Sequence, residues 1–202
     1  MNVISGEPTV KRTLVFFLVP DFTMLPFAAA VETLRIANRM LGYTAYNWRL
    51  CSADGERVCS SAGIAVEVNS SVADERKNLG GESRPNMVLV CSGIDIEQYG
   101  NKTVNAWLRE TYNRGIAVGS LCTGAHVLAQ AGLLEGHTVA AHWEDIVYLK
   151  DFFPNVRTAP SLFVPDGKHP TCSGGGAAAD LLLDYVRRTN GDRFVEQIAS
   201  TL

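Results

Sequence analysis

The chain changes character at Ile116-Ala-Val-Gly-Ser-Leu-Cys-Thr-Gly-Ala125. The apolar run before Cys122 is typical of a buried parallel strand, and the residues from Thr123 onward predict a helix that closes at Gly132. Cys122 therefore lies in the bend between a strand and a helix, an arrangement like a nucleophile elbow with cysteine in the serine position. Because unpaired N–H groups point outward at the start of a helix, such a bend favours a thiolate or a bound anion.

Two other apolar runs predict neighbouring strands of the same sheet. Residues 13–19 are β-branched and aromatic, and residues 86–93 end in small side chains, as the strand before Cys122 does. Helical spacing of apolar residues over 26–41 and 101–112 supplies the connections. The recurring β-α-β order predicts an α/β fold, a three-layer α/β/α, flavodoxin-like domain with a doubly wound, mostly parallel sheet. Ligands of such folds bind beyond the carboxyl ends of the strands.

The rest of the chain fits this architecture and divides into three parts. Further predicted elements are a strand over 46–52, a hairpin over 57–68, a short helix and loop over 70–86, a brief strand ending at His142, a helix over 143–153, short strands around the Asp166-Gly167 turn, and a helix over 177–188. We expect residues 1–10 to be disordered or extended and residues 11–190 to form one domain. Residues 191–202 are predicted to form a C-terminal helix or the start of a linker.

Composition narrows the class of protein. The 202 residues suit one α/β domain, and a net charge of −3 with a pI near 5.8 gives no whole-chain attraction to polyanions. No signal peptide or bilayer-length apolar stretch is present in the sequence, so we expect a soluble, cytoplasmic protein. The five cysteines are an odd number without a C-x-x-C pair, which predicts free thiols. His126, His137 and His169 lack the spacing of metal ligands, so we expect neither a metal nor a cofactor.

Three motifs carry a resemblance to a known superfamily. They are Ser120-Leu-Cys-Thr-Gly-Ala125, Ala131-Gly-Leu-Leu-Glu-Gly136 and Ala141-His-Trp143. Together they resemble the ThiJ/PfpI superfamily, whose class I glutamine amidotransferase-like fold carries a cysteine at the elbow. The resemblance covers about residues 11–190.

A subgroup of that superfamily resembles this chain more closely. The runs Leu34-Arg-Ile-Ala-Asn38, Trp48-Arg-Leu50, Ser61-Ala-Gly63 and Thr171-Cys-Ser-Gly-Gly-Gly-Ala-Ala-Ala-Asp-Leu-Leu-Leu183 look like the N-terminal domain of AraC-family transcriptional regulators with an amidase-like sensor. In such regulators a pair of helix-turn-helix motifs follows the sensor. The resemblance therefore implies contact with DNA only through a C-terminal domain absent from this chain, a small-molecule effector, and a homodimer.

The chain also departs from the superfamily's enzymes at three positions. Enzymes such as isocyanide hydratase place an acidic residue against the nucleophile in the segment 20–26, where our alignment puts Pro26. The superfamily's proteases have histidine directly after the cysteine, where this chain has Thr123. Ile94 follows Gly93 where a second glycine usually completes the oxyanion hole. The resemblance thus implies a binding pocket and weakens the case for catalysis.

We predict a ligand site lined by Gly93, Ile94, Cys122, Thr123, His142 and Glu32. Cys122 could instead be a nucleophile assisted by His142, or an inert core thiol, and His142 could be purely structural. Glu32 could bind a cationic effector or simply pair with Arg35 at i, i+3. Arg187-Arg188 is more typical of a helix C-terminal charge pair than of a DNA-binding patch.

Two hypotheses from different classes follow. In the first, the chain is the sensor domain of an AraC-family regulator, which binds a small metabolite such as an amino acid or a quaternary amine without converting it. In the second, it is a cysteine-dependent hydrolase or hydratase of the superfamily. A stand-alone dimer with a structural role is a third, weaker hypothesis.

Overall fold

A computed structural model describes residues 11–202 of the chain. Its strands are β1 (Arg12–Leu18), β2 (Tyr46–Ser52), β3 (Val58–Cys59), β4 (Ala65–Val66), β5 (Ser70–Ser71), β6 (Met87–Cys91), β7 (Ala117–Leu121), β8 (Thr138–Val139), β9 (Arg157–Thr158), β10 (Phe163–Val164) and β11 (Thr171–Cys172). Its helices are α1 (Met24–Leu41), α2 (Val72–Lys77), α3 (Lys102–Asn113), α4 (Gly124–Gln130), α5 (Trp143–Phe152), α6 (Ala177–Asn190) and α7 (Asp192–Ala199), with a 3₁₀ turn at Ile96–Gln98. The predicted N-terminal segment 1–10 lies outside the described residues.

Seven strands form the central sheet in the order β10-β11-β7-β6-β1-β2-β5. Neighbouring strands are parallel, except that β10 pairs antiparallel with β11 at one edge. Without the short strands β5 and β10, the order is that of a flavodoxin-like sheet, whose topological switch point lies between β1 and β6. The predicted three-layer, doubly wound fold is therefore confirmed.

Strand β1 shows how the sheet separates two cores. Its residues alternate, with Val15 and Phe17 facing one core and Leu14 and Phe16 facing the other, and all four are fully buried. Apolar residues of α2, α3, α4 and α5 complete the first core. Residues of α1, α6 and α7 complete the second. A strand covered on both faces explains why β1 is continuously apolar in sequence.

Two details of the predicted elements are corrected by the structure, and the C-terminal segment, predicted as a helix or the start of a linker, forms a helix. Strand β8 ends at Val139, short of His142, and pairs with β9 in a separate two-stranded sheet. The edge strand β5, two serines long, was not predicted because an edge position needs no apolar alternation. The predicted C-terminal helix begins at Asp192 and buries Ile198 in the core shared by α1 and α6, so it packs with the domain.

The structure also answers two questions raised by composition. Among residues 11–202, no helix combines the length and apolar character needed to cross a bilayer. In the same part of the chain, no three histidine, cysteine or acidic side chains are grouped as metal ligands would be.

Candidate functional site

The elbow predicted around Cys122 is confirmed. Strand β7 ends at Leu121 and α4 begins at Gly124, while Cys122 between them has a left-handed backbone with φ +61°. A non-glycine residue in this region is strained, and such strain concentrates at functional sites. A side chain at Gly124 would lie 2.4 Å from the Val90 carbonyl oxygen, so glycine lets the elbow pass close to β6.

The thiol of Cys122 is enclosed by two residues that the sequence analysis did not select. Cys122 is 5% exposed, and its Sγ lies 3.8 Å from the Thr23 hydroxyl, which follows β1. A Cβ on Gly174 would lie 3.1 Å from Sγ, and the φ of Gly174 is +106°. Thr23 is therefore the residue of the segment 20–26 that lies within hydrogen-bond distance of the thiol. Pro26, the position that the alignment had selected, is buried within α1. In the sequence, the signals that could have identified these two residues are the position of Thr23 after a buried strand and the triple glycine 174–176.

Burial is the main influence on the acidity of Cys122, and it raises the pKa of the thiol. Hydrogen bonds from the Thr23 side chain and the Thr123 backbone oppose this rise, while the negative charges of Glu144 and Asp145 add to it. The net pKa is above the ordinary value, so the thiol is neutral at neutral pH. The thiolate expected from the helix start is therefore not favoured, because desolvation outweighs the hydrogen bonds that oppose it.

We expect iodoacetamide to alkylate the exposed Cys59 at least about tenfold faster than Cys122 at neutral pH, because the thiolate is the reacting form. The Cys122 rate should increase as pH rises above the ordinary thiol pKa, since a raised pKa moves ionisation to higher pH. Peptide mapping by mass spectrometry measures both rates in one sample. Thr23→Val should slow the alkylation of Cys122 further, because it removes a hydrogen bond that favours the thiolate. Equal labelling of both cysteines at neutral pH would contradict the neutral thiol.

Thr123 and Gly93, both predicted ligand residues, join the strand ends instead of facing solvent. The Thr123 hydroxyl donates to the Gly93 carbonyl at 2.6 Å and lies 2.8 Å from the Ser92 hydroxyl. A Cβ on Gly93 would lie 2.2 Å from the Asp21 carbonyl oxygen. These contacts bring the carboxyl ends of β1, β6 and β7 to one point. Of the two predicted residues that follow β6, Gly93 and Ile94, Ile94 is the accessible one, at 55% exposure.

His142 lies at the start of α5, where it is the N-cap residue. Its Nδ1 is 3.4 Å from the Glu144 carboxylate, although the contact lacks hydrogen-bond geometry. The Trp143 ring, 5.7 Å away, is 71% exposed. Asp145 contacts His126 of the elbow helix α4, and the charges of Glu144 and Asp145 act on the Cys122 thiol, so this first turn of α5 lies beside the elbow helix. His142 was predicted from the sequence as a ligand residue, whereas the acidic residues beside it were not.

Glu32 is not brought to the elbow. Its carboxylate accepts two hydrogen bonds from the Nε of Arg35, at 2.8 and 2.9 Å, and a third from Nη2 at 2.6 Å. This pairing lowers the pKa of Glu32. Glu32 also lies about two turns, or roughly 12 Å, along α1 from Met24, where the helix starts. The pairing with Arg35 is therefore the interpretation that the contacts support.

A buried pair connects the elbow helix to α5. His126 on α4 holds its Nδ1 3.0 Å from Asp145 Oδ1, and both side chains are buried. The other ring nitrogen lies 3.1 Å from the Gln130 amide, and the ring packs on Tyr148 with centroids 4.4 Å apart. Asp145 Oδ2 has no hydrogen-bond partner within residues 11–202. The pair fixes the start of α5 against α4, a role that spacing alone did not indicate for His126.

A search of protein families finds that a model described as the DJ-1/PfpI family matches residues 12–188. The HTH-type transcriptional regulator CdhR of Pseudomonas aeruginosa is 33% identical over 91% of this chain and 52% of its own length. The HTH-type transcriptional regulator GlxA of Rhizobium meliloti is 33% identical over 98% of this chain and 59% of its own length. The crystal structure of an AraC family transcriptional regulator from Pseudomonas putida has a TM-score of 0.84 and 26% identity, covering 94% of this chain and 98% of that one. The chain spans about half the length of the curated relatives it matches.

Proposed function

Because the chain belongs to the DJ-1/PfpI family, we propose that it is the effector-sensing domain of an AraC-type transcriptional regulator. One observation carries the choice of a sensor: the elbow thiol is neutral and its hydrogen-bond partner is the Thr23 hydroxyl. A nucleophilic cysteine needs an adjacent base or a lowered pKa, and the contacts of this thiol supply neither. The similarity to transcriptional regulators over nearly the whole chain supports the same conclusion.

The proposed effector is a small nitrogenous metabolite with a positive charge, such as an amino acid or a quaternary amine. It would contact the rim of the elbow, where Trp143 and Ile94 are exposed and Glu144 is 57% exposed. An accessible indole face attracts an ammonium group, and a carboxylate beside it adds charge complementarity. His142, Gly93 and Thr123 would position these groups.

Effector binding would shift the equilibrium between two arrangements of a regulator whose DNA contacts lie in a separate helix-turn-helix domain. We propose a homodimer as the functional unit, in keeping with the closed symmetry of most oligomers. The start of α5 is the element that would respond, because it carries Trp143 and is tied to α4 through His126 and Asp145.

The test is a titration of the protein with choline, with free L-amino acids as a second set of probes. It is followed by tryptophan fluorescence, to which Trp143 contributes as the exposed one of the three tryptophans. We expect saturable quenching, and roughly three- to thirtyfold weaker binding measured calorimetrically for Trp143→Ala. Phe152→Ala is the matched control, because Phe152 is an exposed aromatic residue at the far end of α5. The uncharged tert-butyl analogue of choline should bind far more weakly than choline. Equal binding of the two would contradict a cation site.

The alternative is a cysteine-dependent hydrolase or hydratase, which the elbow geometry at Cys122 favours. Cys122→Ala separates the two functions. Turnover of a probe by the unmodified protein that is lost in Cys122→Ala would replace the sensor proposal with the enzyme. Effector binding that persists in Cys122→Ala, with turnover absent from both proteins, supports the sensor.

A further inference from the structure

A cavity of about 280 Å³ lies at the edge of the sheet opposite the elbow. Its walls come from the amino ends of β1, β6 and β7, from α6, and from the turn between β10 and β11. The lining residues include the charged side chains Arg12, Asp166 and Arg188. Neither Cys122 nor any residue of α5 contributes to it, so the cavity is separate from the proposed effector site.

Two of the charged side chains in the wall already have contacts within the protein. Arg188 pairs with Asp184 at 2.9 Å and also donates to the Pro165 carbonyl, which links α6 to the turn above the cavity. Asp166 accepts hydrogen bonds from the backbone N–H groups of Lys168 at 2.7 Å and His169 at 3.1 Å. The Arg188 guanidinium is thus paired with Asp184, and one carboxylate oxygen of Asp166 is occupied by backbone donors. Both side chains therefore hold the wall of the cavity in place.

Arg12 is different, because within residues 11–202 its guanidinium pairs with no carboxylate. It lies 5.9 Å from the centre of the Tyr185 ring, and its charge acts on the Tyr185 hydroxyl. A hydrogen bond from the Arg12 side chain also acts on that buried hydroxyl, whose proton has no acceptor among residues 11–202. Burial raises the pKa of Tyr185 more than Arg12 lowers it, so the hydroxyl keeps its proton and can donate. A buried hydroxyl proton without an acceptor costs stability, which a ligand acceptor would restore.

The remaining wall is apolar and supports a specific class of ligand. Met87, Leu181 and Leu182 are nearly fully buried and line the cavity together with Ala117 and Pro170. We propose that the cavity binds a small organic monoanion, whose carboxylate is held by Arg12 and Tyr185 while its hydrocarbon part contacts these side chains. Its volume lies just below the range of about 300–1,000 Å³ that is usual for small-molecule sites, so the ligand is small.

The probe is hexanoate, titrated into the protein by calorimetry and by amide chemical shifts. We expect saturable binding with shifts at Leu182, Tyr185 and neighbouring residues of α6. Arg12→Gln should weaken binding roughly tenfold to a hundredfold and Tyr185→Phe roughly three- to tenfold, because hydrogen bonds to a charged group are the stronger ones. Arg187→Gln is the matched control, since Arg187 lies on the same helix but pairs with Asp184 and Asp192 outside the cavity.

Three further probes distinguish the contribution of the negative charge from that of the hydrocarbon part of the ligand. Hexanamide and hexylammonium keep the hydrocarbon but lose the negative charge, and inorganic phosphate keeps a charge but loses the hydrocarbon. Hexanoate binding at least about tenfold tighter than each supports the proposal. The proposal is overturned if hexanoate does not bind, if hexanamide binds as tightly as hexanoate, or if phosphate binds more tightly. It is also overturned if Arg187→Gln weakens hexanoate binding as much as Arg12→Gln does. Trp143→Ala should leave hexanoate binding unchanged, so failure here and failure of the proposed effector site are distinguishable.

Discussion

Gly93→Ala is expected to lower the free energy of unfolding by about 3 kcal/mol or more, because the added methyl group would overlap backbone atoms that cannot move independently. Its Cβ would lie 2.2 Å from the Asp21 carbonyl oxygen and 2.8 Å from the Thr23 backbone nitrogen. The segment from Asp21 to Thr23 is bound on its other side, where the Asp21 N–H donates to the Cys59 carbonyl at 3.0 Å. Relief of the overlap would therefore pull Thr23 away from Cys122.

Urea unfolding followed by circular dichroism measures the loss in Gly93→Ala. Gly80→Ala is the matched control, because nothing lies within 4 Å of its Cβ and its φ is not in the left-handed region. A loop glycine of this kind should be neutral or slightly stabilising when replaced by alanine. Faster alkylation of Cys122 in a folded Gly93→Ala variant would indicate that the site has opened. A Gly93→Ala variant as stable as Gly80→Ala would contradict the close approach of β1 and β6 at this point.

Asp145→Ala is expected to cost about 3 kcal/mol of folding free energy, because it leaves the buried His126 ring without its acceptor. His126→Phe should cost a similar amount, since the Asp145 carboxylate would lose its hydrogen-bond partner while Oδ2 already has none in the described chain. The double variant removes both groups together. Its cost should be smaller than the sum of the single costs, with a coupling of up to about 3 kcal/mol.

Chemical denaturation of the four proteins completes this double-mutant cycle. Glu144→Gln is the control, because its side chain is 57% exposed and a surface change of this kind stays within about 0.5 kcal/mol. Additive costs for the two single variants would show that His126 and Asp145 do not act as a pair. In that case the link between α4 and α5 on which the proposed response of the sensor depends would fail.

The elements that the sequence predicted well are those with a strong local period. Strand β2 and helix α1 match their predictions closely, because alternating apolar and polar residues in the strand and a three- or four-residue apolar spacing in the helix are local signals. Gly42 ends α1 with φ +76°, a left-handed conformation that glycine adopts at helix ends. Strands β5 and β8 carry no such period over their two residues, and their bounds came only from pairing with β2 and β9.

The candidate site divides in the same way. The elbow at Cys122 was predictable, since an apolar strand followed by small residues and a helix lies within one continuous stretch. The contact between the Cys122 thiol and the Thr23 hydroxyl was not predictable, because Thr23 lies 99 positions away in the sequence. For Glu32 the sequence left open a contact with a cationic effector or a pairing with Arg35, and the i, i+3 spacing was the local signal for the pairing.

By itself, the sequence determined the order of the longer strands and helices, the sharp bend that carries Cys122, and the superfamily to which these motifs belong. Local periodicity and short motifs are properties of neighbouring residues, so they can be read without knowledge of the fold. Only the tertiary structure decided the state of the thiol, the acidic and aromatic rim at the start of α5, and the meeting of Arg12 with Tyr185 at the opposite edge. Each of these three features depends on desolvation or on electrostatic interactions between segments that are distant in the sequence. Such effects arise only when the folded chain brings those segments together.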